Sequence, residues 1–167
     1  MEDTIKFRCI RSKLYNIGKP TYHMKDGSFC FDPCGNTDIS VYIHYFSIDI
    51  SSDTMRAGHI TGWAPLKMWE HCSLKTPRYT SGQIVIYGEY IGEFSTRLIE
   101  TIGEFTTYLV ETNDPLWDYY YDKRSGWFCL GNPAEELGDE AVEFATDTVV
   151  VVNNGVLKSI WIRPVFV

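Results

Sequence analysis

The sequence predicts an α+β fold, a mainly antiparallel sheet with a C-terminal β-meander and hairpin and one or two packed helices. Three observations lead there. Apolar and charged residues alternate over residues 5–9, the period of a half-buried strand. Asn154-Gly155 separates two apolar, β-branched runs, 148–152 and 156–162, which is a strong hairpin signal. Residues 91–109 carry an apolar stripe at steps of three and four, the spacing of an amphipathic helix. The chain has 167 residues, 44% apolar and 22% charged. It reads as one globular domain, 1–167, long enough to build a core without disulfides or metal.

Taken in order, residues 4–11 form a strand with Ile5, Phe7 and Cys9 inward and Lys6 and Arg8 outward. Gly18, Pro20, Gly27, Pro33 and Gly35 punctuate the following loop. Residues 39–48 are apolar on both faces and read as one central strand covered on both sides. Pro65 opens a short helix over 65–71, and 83–87 reads as a short strand. Residues 91–101 and 102–112 are two copies of one eleven-residue pattern, Ile-Gly-Glu-Phe and onward. Eleven residues make three helical turns, so the stripe favours a helix. The threonines in both copies and Gly103 favour two short strands joined at that glycine. Residues 116–121 suit a helical turn or a strand, and 127–130 and 141–144 read as strands. The final hairpin pairs Val152 with Leu157 and Val150 with Ser159, and Pro164 confines the last strand to an edge or ends it.

Charge divides the chain. Residues 1–83 hold 10 basic and 8 acidic side chains, a balance of +2, and residues 84–167 hold 5 and 14, a balance of −9, which together give the net −7. A field of that sign opposes nucleic-acid phosphate and draws in a basic protein. No apolar run is long enough to span a membrane. The acidic start, Met1-Glu2-Asp3, is unlike a secretory signal. Five cysteines at irregular spacing suit reduced thiols in the cytoplasm, with Cys9 and Cys129 as core packing.

No phosphate loop, dinucleotide fingerprint, nucleophile elbow, zinc-protease helix or calcium loop is present. Cys30 and Cys34, with His23 and His44, have ligand types and spacing that zinc accepts, but no second tight ligand pair follows. A cysteine–histidine nucleophile depends on spatial adjacency that spacing does not reveal. The carboxylates of 100–104 and 135–140 could serve acid–base work, or simply form a solvated face. Aromatic residues crowd 117–128, flanked by Asp114, Asp118 and Asp122. Such anchors with a charged rim are typical of protein interfaces.

The text from Tyr119-Tyr120-Tyr121-Asp122-Lys123 through Gly126-Trp127-Phe128-Cys129-Leu130-Gly131, Ala141-Val142-Glu143-Phe144 and the segment 155–164 resembles the small acidic immunity proteins encoded beside bacterial polymorphic toxins, including those of contact-dependent growth inhibition. The resemblance covers the last third of the chain and implies a cytoplasmic, non-catalytic protein that binds and neutralises a cognate toxin domain, often a basic nuclease. The expected contact surface is Glu111, Asp114, Trp117, Asp118, Tyr120, Asp122, Glu135, Glu136, Asp139 and Glu140. No cofactor, metal, nucleic acid or membrane is expected as a partner. The rival expectation is a small enzyme or ligand- or metal-binding domain that uses thiol or carboxylate groups.

Overall fold

A computed structural model describes residues 6–87, 96–102, 105–110 and 117–167, the middle two segments as backbone alone. The first strands are β1 (Lys6–Arg11), β2 (Lys19–His23), β3 (Ser28–Asp32), β4 (Ile39–Ile43), β5 (Phe46–Ser51) and β6 (Arg56–Trp63). Then come β7 (Glu70–His71), β8 (Thr80–Tyr87), β9 (Thr96–Ile102), β10 (Phe105–Val110) and β11 (Tyr119–Tyr121). The chain continues with β12 (Phe128–Gly131), β13 (Asp139–Ala145), β14 (Thr148–Asn153), β15 (Val156–Ile162) and β16 (Val165–Phe166).

The expected α+β class does not hold. Among the described residues the secondary structure is strand except for one 3-10 turn, Leu66–Met68, which stands where the sequence suggested a short helix. The stripe over 91–109 was the main argument for a packed helix. Its described part forms two antiparallel strands, β9 and β10, and β10 also pairs in parallel with β4. Threonine and β-branched residues favour a pleated ladder, and two strand neighbours outweigh the helical period. Residues 39–48 also differ from the expectation. They break at His44-Tyr45 into the hairpin β4–β5, with His44 at φ 54°. None of the described helical residues makes a span long and apolar enough to cross a membrane.

The strands form one curled, half-barrel sheet in the order β7-β11-β12-β15-β14-β13-β8-β6-β5-β4-β10-β9, with β1 on β8 and the run β3, β2, β16 branching from β6. The central joint is β8. Its first residues run parallel to β13, and Gly82–Tyr87 run antiparallel to β1. Asn16 ties a second joint. Its backbone pairs with Phe144 and Thr146, and its side-chain amide donates to the carbonyls of Ala57 and Gly58 at 3.2 and 2.7 Å.

The C-terminal hairpin has the expected turn, with Asn154 and Gly155 at φ 50° and 80°. Val152 faces Leu157 as expected, but a bulge after Val151 brings Ser159 opposite Val151 and Ile160 opposite Val150. The bulge keeps Ile160 and Val150 in the core.

That core fills the inside of the curl. Phe128 is its centre, with ring centroids of Phe29, Phe46, Trp69 and Tyr119 at 4.7, 5.6, 5.0 and 6.1 Å. Tyr22 and Trp69 each donate to the Ala64 carbonyl, so their polar ends are satisfied inside. Phe166 on β16 packs on Tyr22, Trp69 and Tyr121, which brings the β16 branch against the β7–β11 end of the sheet.

The β8–β1 joint needs a glycine. A Cβ on Gly82 would collide with the Ile10 carbonyl oxygen across the ladder. Backbone cannot move aside as a side chain can, so Gly82→Ala is expected to cost about 1–3 kcal/mol. A urea midpoint equal to that of the parent would show that the joint is looser than described.

Candidate functional site

The strands β12, β14 and β15 are buried on both faces, so the sheet carries a second, smaller core on its outer side. Trp127, Cys129, Val149, Val151 and Trp161 build it, with Leu74, Tyr120 and Ala141 against them. Segment 72–79 covers part of it. Asp122 fastens that cover, since its carboxylate accepts from the backbone N–H of Leu74 and of Arg124, both at 2.9 Å. These two bonds hold the Asp122 carboxyl below its ordinary pKa.

Beyond Leu74 the cover lifts off, and a cleft of about 520 Å³ opens between residues 75–78 and the loop 132–139. Its floor is Ala141, Val151, Ser159 and Trp161. The indole N–H of Trp161 donates to Ser159 Oγ at 2.9 Å, so the floor has no idle donor there.

The loop is ordered by one cation. Lys158 Nζ, on a side chain only 9% exposed, reaches Asp139 at 2.7 Å, Glu136 at 3.3 Å and the Ala134 carbonyl at 2.5 Å. Asn153 adds bonds to Asp139 and to the Leu137 carbonyl, and Asn132 bonds Glu136. Gly138, at φ 90°, makes the turn that a side chain would strain. Across the mouth, Lys75 meets Glu135 at 2.5 Å in an exposed ion pair.

These contacts set the charge states. Lys75, by its hydrogen bond and then by its charge, lowers the Glu135 pKa. Burial works to raise that of Asp139, but bonds from Asn153 and Lys158 outweigh it and the net shift is downward. Depressed carboxylates stabilise the fold above their ordinary range, and that contribution is lost as pH falls through the folded values. Through Asp139, the loop is therefore expected to lose stability as pH falls into the carboxylate range.

Of the expected contact residues, Glu135, Glu136 and Asp139 line this cleft. Glu140 follows on β13, exposed, but it shares the face of Val142 and acts on Cys9, opposite to the face on which Ala141 floors the cleft. Asp118 is exposed outside the cleft lining, and its carbonyl accepts from Gly131 N–H at the root of the loop. Asp122 and Tyr120 lie elsewhere, one buried beneath segment 72–79 and the other half-buried in the second core. Trp117 is half-buried against the main core, its ring 6.0 Å from that of His44. Glu111 and Asp114 lie outside the described residues.

The groups of the rival expectation are placed differently. Burial, followed by the charge of Glu140, pushes the Cys9 thiol up to about 12. Burial likewise raises Cys72 and Cys129. A thiol held protonated is a poor nucleophile. Cys34 donates to the Phe31 carbonyl at 3.3 Å. Among the described residues no three histidine, cysteine or acidic side chains gather as a metal site.

Sequence reasoning missed Lys75, Lys158 and the tryptophan floor. It also missed a buried pair, His59 and Asp49, whose Nε2 and Oδ2 are 3.1 Å apart. An aspartate inside the apolar run 46–50 was the signal available for it. Comparison of the chain with family models, with curated proteins and with solved structures finds no match.

Proposed function

We propose that this protein is a non-catalytic inhibitor of the immunity type, which docks a basic, nuclease-like toxin domain on the acidic loop 132–139 together with Asp118. One observation carries the reading: exposed Glu135 and Glu136 stand on a loop already fixed by Lys158, with exposed Asp118 hydrogen-bonded through its backbone carbonyl to the root of that loop. A loop ordered before binding loses little entropy on association. The Lys75–Glu135 pair does not oppose this, since exposed pairs contribute little and a partner cation can replace Lys75. The cleft behind the loop, floored by Trp161 and walled by charged side chains, is of the size that interface anchors and ligands fill. Cytoplasmic placement belongs to the same proposal.

The test uses Asp118→Lys and Glu135→Lys in one variant, because neither side chain builds the loop. Asp122→Lys is unsuitable, since Asp122 holds segment 72–79 in place. Wild type and variant are used to capture partners from the native cell extract at low and high salt. The expected result is a basic protein bound by wild type, with an association rate that falls as salt rises. The double variant should keep its melting temperature and lose about tenfold or more in that rate. Equal capture by both proteins, or capture of no basic protein by either, overturns the proposal.

A further inference from the structure

The outer face of β1, β8 and β6 has the opposite character. Phe7 is buried and Cys9 half-buried, so Lys6, Arg8 and Ile10 point outward. In the register, Lys6 stands opposite Tyr87, Arg8 opposite Val85, and Ile10 opposite Gln83. Arg56 stands opposite Val85 as well. Register partners share a face of the sheet. Arg8 and Arg56 therefore flank Val85 on one surface, two strand spacings or roughly 10 Å apart. The Arg8 guanidinium is steadied 4.7 Å over the Tyr87 ring.

Arg56 leads into a second cleft, of about 280 Å³. Its polar lining includes Tyr15, Asn36, Thr37, Ser51, Thr54 and Gln83, and no carboxylate lines it among the described residues. Two carboxylates neighbour the lining in sequence, and Asp38 keeps its charge. Asp38 accepts from both the N–H and the hydroxyl of Ser52, and Asp53 sits in the turn outside the lining. Thr54 Oγ1 accepts from Arg56 N–H at 3.3 Å, which leaves its own O–H to donate. Asn16 is committed to the carbonyls of Ala57 and Gly58.

We propose that this cleft is a binding site for a phosphate-class oxyanion. The Arg56 guanidinium is the charged ligand, in the fork geometry that suits phosphate. Gln83 and Thr54 supply neutral donors, and Arg8 strengthens the local positive potential from across Val85. A volume below the usual range for drug-sized ligands fits one phosphoryl group rather than a whole nucleotide. The phosphoryl group belongs either to free orthophosphate or to the backbone of a longer phosphodiester.

The experiment is a titration of isotope-labelled protein with orthophosphate, followed by amide NMR, with chloride at equal ionic strength as the control. Saturable shifts are expected at residues 54–58 and 83–85. Arg56→Gln should weaken binding about tenfold or more, the loss of one charge-assisted bond. Arg8→Gln should weaken it less, and Arg124→Gln, far from the cleft, should not change it. A short single-stranded oligonucleotide forms the second arm. If it displaces orthophosphate, the source is a phosphodiester; if it does not, the source is the free anion. Both outcomes require dependence on Arg56. Shifts that fail to saturate at millimolar phosphate, or an Arg56→Gln protein that binds like wild type, overturn the proposal. Because these residues lie outside the loop 132–139, the outcome is independent of toxin-domain binding.

Discussion

Phe128→Ala should lower the unfolding free energy by about 3–5 kcal/mol, the range for emptying a packed aromatic site. The ring is fully buried and touches four other aromatic rings drawn from β3, β5, the residue before β7, and β11. Those rings come from both halves of the curl and cannot all collapse into the void. Urea denaturation checks it: the midpoint should fall with the slope unchanged. Phe128→Leu should cost clearly less, because most of the volume stays. A loss below about 1 kcal/mol for the alanine variant would mean that the rings repack around the gap.

Asp49→Ala should cost a similar amount, about 3–5 kcal/mol, for a different reason. The Asp49 carboxylate accepts from Ser47 at 2.7 Å, Ser40 at 2.9 Å and Thr61 at 3.3 Å, and meets His59 at 3.1 Å. His59 is 4% exposed and stacks on Phe31, and its Nδ1 has no hydrogen-bond partner. Removing the carboxylate strands three hydroxyls and an imidazole in a site with little water. Asp49→Asn keeps an acceptor and should lose less. A double variant, Asp49→Leu with His59→Leu, should recover part of the loss if the penalty comes from the stranded imidazole. Thermal melts of the four proteins decide this. The cluster has the residue types of a hydrolase triad but not its wiring, since the hydroxyls donate to the carboxylate instead of to the imidazole.

What could be read from the sequence follows from how local each signal is. The alternation at residues 5–9 and the Asn154-Gly155 turn depend on neighbours a few residues apart, and both are seen in the structure over the described residues. The bulge after Val151 was not legible, because it answers to the packing of Ile160 on the far side of the sheet. The 91–109 stripe misled because its period says nothing of strand partners. The β4 edge that β10 joins lies some sixty residues upstream. The acidic residues of 135–140 were legible as charge. Their ordering was not, because Lys158 and Lys75 come from β15 and from a loop far away in sequence. Asp122 reads as a surface acid beside a tyrosine run, yet it is consumed by backbone donors.

The pairing of β16 with β2 has a consequence for synthesis. Val165 and Phe166 lie beside Thr21 and Tyr22, so an early strand finds this neighbour among residues made about 140 positions later. Until Phe166 has emerged from the ribosome, Tyr22 and Trp69 lack one of their aromatic neighbours. Closing so long a loop is slow, and a nascent chain waiting for it presents sticky apolar surface. Production of this protein should therefore be sensitive to chaperone supply and to translation speed between β2 and β16, even where the folded molecule is stable.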